Sequence, residues 1–250
     1  MKRIVNLIAM LVLLVSAAPA QAALVKLSGA TTTIHRVVRP YKAAVEARTG
    51  HTLEVVGSGT GKGLVDLVEG RCDAALSSAP LGIAIPAARA AGKDIDIKSL
   101  TFSVLKLDEI VFVVNPDNPV KSLNWAQIKA IHAGKIKNWK EVGGKDMPIT
   151  VYTDTPTGGT YALIKQIVLG GAEYSDSAIP LASVKRVGDM VASFPDAIGG
   201  LGIGFVDARM KIIESKKLDR PLGIITIGEP KGKVKEIIDA YKSEVAKAGK

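Results

Sequence analysis

Clusters of serine, threonine and glycine recur wherever an apolar run gives way to a helical pattern. They are Ser28-Gly29-Ala30-Thr31-Thr32-Thr33, Gly57-Ser58-Gly59-Thr60-Gly61, Ser77-Ser78-Ala79-Pro80 and the stretch from Thr153 to Thr160. Hydroxyl groups and unpaired backbone N–H groups at a helix start are donors at the positive end of the helix dipole. One such turn is an ordinary helix cap, since Ser and Thr are favoured there. Several of them at the carboxyl edges of two facing sheets would surround a small oxyanion with neutral donors.

The elements that must hold these turns alternate in the manner of βα units, which predicts an α/β fold with a largely parallel sheet. Strands are expected at Leu24 to Leu27, Leu53 to Val56 and Asp73 to Leu76. Helical spacing follows in Val37, Val38, Tyr41, Ala44 and Val45, then in Leu64, Leu67 and Val68, then from Pro86 to Ala91. Leu100 to Val114 reads as two apolar runs separated by Lys106, Asp108 and Glu109, and Asn115-Pro116-Asp117-Asn118-Pro119 stops it. An extended run of that length could cross from one lobe to another. Beyond it come a helix from Trp125 to Ala133, a strand from Ile149 to Tyr152, a turn to Gly159 and a helix from Thr160 to Leu169. A glycine-rich strand from Gly199 to Val206, whose glycines permit close backbone approach, precedes a strand at Ile224 to Ile227 and a helix from Val234 to Ala246.

Composition narrows the chemistry. Of 250 residues, 47% are hydrophobic and 23% charged, enough for a sizeable core, and the net charge of +9 favours anionic partners. Only 4% are aromatic and the basic residues are dispersed, which argues against nucleic acid. Lys2 and Arg3, the apolar run from Ile4 to Val15 and Ala20-Gln21-Ala22 form an export leader, with cleavage expected after Ala22. Cys72, the single cysteine, reads as a small core residue, so no internal disulfide is expected. His35, His51 and His132 lack ligand spacing, and no G-x-S-x-G elbow surrounds Ser77 or Ser78, so neither a metal, a cofactor nor catalysis is expected. The Gly57 to Gly63 stretch fails the Walker pattern at Val56 and Gly63 and the dinucleotide pattern at Lys62.

Taken together, Gly29-Ala30-Thr31-Thr32, Gly57-Ser58-Gly59-Thr60-Gly61, Asp73 to Leu81, Gly134 to Trp139, Gly158-Gly159-Thr160 and Ile203-Gly204-Phe205 resemble the periplasmic phosphate-binding proteins of ABC transporters. The resemblance implies a two-lobed type II periplasmic-binding-protein fold, each lobe a mostly parallel sheet flanked by helices, with a hinge of crossing strands. It implies a leader at 1–22, one lobe from 23–113 and 207–250, and a second from 114–206. It implies a monomeric periplasmic protein that captures phosphate for the membrane subunits of an importer; another oxyanion, or a sensory or scaffold role, is the alternative.

The ligand residues that the resemblance implies are Thr31, Thr32, Ser58, Thr60, Ser78, Thr157, Gly158, Gly159 and Thr160. Ser78 stands where these proteins often place an aspartate that accepts a hydrogen bond from protonated phosphate. Gly158-Gly159-Thr160 matches a Ser-Gly-Thr turn, and Asp154 stands where an arginine four residues upstream is usual, with Pro156 where an acidic residue is common. Asp154 either caps its own turn or enters the site. Lys62 either supplies a charge or stays in water, and Asp73 is expected as a strand-end acceptor.

Overall fold

The computed structural model describes residues 22–248. The expected leader and its cleavage site fall, but for Ala22, outside the described residues. Strands β1 (Leu24–Gly29), β2 (Thr52–Gly57), β3 (Ala74–Ser77), β4 (Leu100–Val114), β5 (Thr150–Thr153), β6 (Ile179–Pro180), β7 (Ala197–Gly202) and β8 (Lys211–Ile227) form one mixed sheet. Its order is β2-β1-β3-β8-β4-β7-β5-β6. Parallel pairs lie at the two ends, β1 with β2 and β3, and β5 with β6 and β7. The middle is antiparallel, where β4 pairs with both β7 and β8.

The long strands are the crossing elements. β4 is unbroken over 15 residues, so Lys106, Asp108 and Glu109 do not interrupt it. β8 runs 17 residues and starts well before the expected Ile224, because its first part alternates exposed charge with buried Ile213, Leu218 and Arg220 instead of forming an apolar run. Register shifts between Val104 and Lys106 and between Ile110 and Phe112 bracket the centre of the β4–β8 ladder. One core cluster contains Val25, Leu27, Leu76, Leu105, Leu222 and Ile237. Another, at the other end of the sheet, contains Ile110, Phe112, Trp139, Val151, Ile198 and Leu218. Each long strand therefore contributes to both cores.

Seven helices cover the sheet among the described residues. Helix α1 spans 31–49 with a π turn at Ile34–Val38, and α2 (Thr60–Val68) and α3 (Leu81–Ala90) follow β2 and β3. α4 (Trp125–His132) opens on an Asn124–Gln127 capping box. α5 spans 159–168, again with a π turn, Ile164–Val168, after its first turns. α6 (Val184–Ser193), which the sequence reading passed over, buries Val184, Val187, Gly188 and Val191 on one face. α7 (Gly232–Ala248) closes the chain. The glycine-rich strand ends at Gly202, where Ile203–Phe205 turns into a short 3-10 helix.

Candidate functional site

Strands β1, β2, β3 and β5 each end beside the same space. That space is a cavity of about 370 Å³ lined by Ala30, Thr31, Thr32, Gly57 to Thr60, Lys62, Ser78, Asp154, Thr155, Thr157 to Gly159 and Ala182. Eight of the nine expected ligand residues, all but Thr160, line it. They arrive from both ends of the sheet, and two contacts join those ends. The Gly61 N–H donates to the Thr157 carbonyl at 2.9 Å. Gly159 lies so close to Ser78 and Thr60 that a Cβ there would sit 2.5 Å from the Ser78 Oγ and 2.7 Å from the Thr60 Oγ1.

The glycines of the second turn are explained by packing. Gly59 has φ +91°, a left-handed conformation that L side chains rarely adopt. At Gly61 a Cβ would strike the Ala87 carbonyl of α3, and at Gly63 it would strike β1 at Gly29. The loop is a close-packing device rather than a phosphate-chain cradle.

Donor accounting separates the lining residues. The N–H groups of Ala30, Ser58 and Gly59 are spent on the carbonyls of Leu76, Gly29 and Gly29. Helical geometry leaves those of Thr31, Thr32, Thr60 and Gly159 without intrahelical acceptors. The Ser28 hydroxyl donates to Asp66 at 2.6 Å, so Ser58, 2.9 Å from Ser28, must donate to it and has no proton left for a ligand. Ser58 lines the cavity as an acceptor, able to take a hydrogen bond from a protonated ligand but not to give one. Thr60 accepts from the Ser78 N–H at 3.3 Å, which leaves its own proton to point elsewhere.

Thr160 stands apart from the other eight. It is 1% exposed and stands behind the cavity wall, its hydroxyl accepting from Arg220 Nη1 at 2.7 Å. Arg220 in turn donates through Nε at 3.0 Å and Nη2 at 2.8 Å to one oxygen of Asp108, its cross-strand partner in the β4–β8 ladder. Both side chains are essentially inaccessible. Arg36 of α1 approaches the other Asp108 oxygen at 3.7 Å. The backbone leaves room for these guanidinium groups at two glycines: a Cβ at Gly202 would meet Arg220 and Asp108, and one at Gly204 would meet Arg36. The close approach expected of these glycines is thus made by arginine side chains. Sequence reasoning missed all three charged residues.

Asp154 both caps its turn and lines the site. Its Oδ1 accepts from the Thr155 N–H at 2.9 Å. Burial raises its carboxyl to about 6, against the opposing pull of the Thr155 amide, Arg220 and the Thr160 amide. Its Oδ2 lies 2.1 Å from where a Cβ at position 158 would be, so the aspartate and Gly158 require each other. Lys62 is exposed and reaches the cavity rim. Asp73 accepts from the Lys26 N–H and pairs with Lys233, each at 2.8 Å, so it ties strand ends together. Cys72 is buried and its thiol is pushed up to about 11 by burial. No cluster of three His, Cys, Asp or Glu side chains is arranged for a metal among the described residues.

Known proteins resemble this chain in sequence and fold. The phosphate-binding protein PstS of Bacillus subtilis is 34% identical over 165 residues, which are 60% of this chain and 55% of that protein. The chain spans about half the length of the curated relatives it matches. An ABC-type phosphate transport receptor from Vibrio cholerae superposes with a TM-score of 0.69 at 25% identity, covering 90% of this chain and 96% of that one. A structure from Clostridium perfringens, described as a substrate-binding protein of a phosphate ABC transporter with bound phosphate, superposes with a TM-score of 0.77 at 24% identity, covering 90% and 97%. The fold is the type II periplasmic-binding-protein fold. A family signature described as a PBP superfamily domain matches residues 16–246, through every strand and turn that builds the cavity, and the chain belongs to that superfamily.

Proposed function

We propose that the protein is an extracytoplasmic solute-binding protein that captures a small oxyanion, phosphate first, between two lobes and hands it to the membrane subunits of an ABC importer. The observation that carries this reading is the cavity itself, lined by hydroxyl and helix-start N–H donors from both ends of one sheet. The lobes are 23–113 with 207–250, and 114–206, joined by β4 and β8. An anion bonded to Thr31, Thr32 and Thr60 on one side and to Thr157 and the Gly159 amide on the other lowers the energy of the closed form alone. The leader at 1–22 supplies export, and the relatives' names support the ligand class.

One observation favours a second reading, an oxyanion other than phosphate. Asp154 adds a carboxylate to the site at neutral pH, and it repels a dianion more than a monoanion. Calorimetric titration of ligand-stripped protein with phosphate, arsenate and sulfate tests both. Phosphate binding confirms the first reading, selective binding of a different oxyanion confirms the second, and no heat from any of them refutes capture of an inorganic oxyanion.

A further inference from the structure

The cavity holds no arginine, yet a buried cation stands directly behind it. Arg220 and Asp108 form a fully buried pair, and Arg36, whose side chain is 31% exposed, approaches the same carboxylate from the solvent side. Asp108 takes the Nε and Nη2 donors of Arg220 on a single oxygen, and Nη1 points the other way, to Thr160. Thr160 belongs to the first turn of α5, whose preceding residues Gly158 and Gly159 line the cavity. A buried guanidinium is costly unless opposite charge lies near, and Asp108 supplies it on one side only. On the cavity side of Arg220 the candidates are Asp154 and a bound anion.

We propose, on the reading that the cavity binds an oxyanion, that Arg220 is the positioning residue of the site: it holds Thr160 and the neighbouring Gly159 amide in place and supplies the positive charge that Asp154 withholds. The position of Arg220 between the two register shifts of the β4–β8 ladder puts this cation on the element common to both ends of the sheet. An arginine is a donor only, so Thr160 is compelled to accept from it, and the hydroxyl orientation is fixed. The charge acts across one hydroxyl group in a low-dielectric interior, where water screens it least. The cation of this site thus comes from the hinge rather than from the turn.

The test is phosphate titration by calorimetry on five variants, with thermal melts on each. Arg220→Gln combined with Asp108→Asn removes the buried pair together and leaves only the partly exposed Arg36 of the cluster charged. It is expected to fold and to bind phosphate at least tenfold more weakly. Arg220→Lys, which keeps the charge, is expected to lie closer to the wild type than that double variant. Thr160→Val leaves the Arg220–Asp108 pair intact and is expected to weaken binding at least fivefold; in the double-variant background it is expected to add less than twofold. Arg209→Gln removes one exposed charge and is expected to stay within twofold of the wild type. Wild-type binding that survives within twofold in Thr160→Val, or in the folded double variant, overturns the role of Arg220 alone. Equal weakening by Arg209→Gln overturns it as well, by showing that the effect is not specific to Arg220. A wild type that binds no phosphate overturns both this role and the phosphate reading.

Discussion

Replacing Asp154 with asparagine should reveal a stability cost that the wild type carries at neutral pH. Folding raises the carboxyl from its ordinary 3.8 to about 6 through burial, so between these values the folded chain keeps a proton that the unfolded chain has released. Stability then falls as pH rises through that window. Roughly two pH units at about 1.4 kcal/mol each give a loss on the order of 3 kcal/mol, complete above about pH 7. Asparagine has nearly the same shape, its amide oxygen can still accept from the Thr155 N–H, and it does not titrate. In urea unfolding of ligand-free protein from pH 4 to 8, the stability of Asp154→Asn relative to wild type should climb by about 3 kcal/mol. A difference that stays level across this range would refute the buried-carboxyl argument.

His132 runs in the opposite sense. Its Nδ1 donates to the Ile128 carbonyl at 2.9 Å, its Nε2 has no partner, and burial lowers it to about 4. The unfolded chain therefore binds the extra proton between about 4 and 6.5, and stability should drop as the pH falls through that range; in His132→Gln the acid limb should disappear from the same urea series. Gly158→Ser should destabilise the chain by about 1 to 3 kcal/mol, because its Cβ meets the Asp154 carboxylate, and should cost much less in an Asp154→Ala background; equal costs in both would sever the two positions. Gly159→Ala should weaken phosphate binding at least tenfold with little change in thermal stability, since its methyl wedges against Thr60 and Ser78 at the contact between the two ends of the sheet; calorimetry with a melt on the same sample checks this.

The order of strands and helices was legible because each apolar run is local and each is followed by a turn of helix-starting residues. The cavity was legible for the same reason: its donors sit on contiguous turns such as Gly57 to Gly61, and the fold brings the turns together at strand ends. Three features were harder. The first half of β8 is rich in charge because one face meets solvent, and Leu218, Arg220 and Leu222 mark its buried face only to a reader willing to bury an arginine. Buried arginines are rare enough that this reading is ordinarily rejected. The Asp108 and Arg36 partners lie 112 and 184 positions away from Arg220, beyond any local pattern. The division of labour among hydroxyls was equally hidden, since Ser58 loses its proton through a chain to Ser28 and Asp66 that only coordinates reveal. Helix α6 is different: its Val184, Val187 and Val191 spacing was present in the sequence and was passed over.

The continuous ladder of β4 and β8 also says what sort of mechanical object the protein is. Where two bodies are linked by a loose tether, each can wander, and meeting again is a matter of search. Here the link is a twisted ribbon whose backbone hydrogen bonds run through it, loosened at the two register shifts. At its middle Leu107 faces Pro221, which has no N–H to offer the ladder. Sliding one end of the sheet past the other would have to break these bonds, as moving a body on a tether would not. An arriving solute therefore does not have to assemble the site, because the ribbon already holds the donor turns of the two ends face to face.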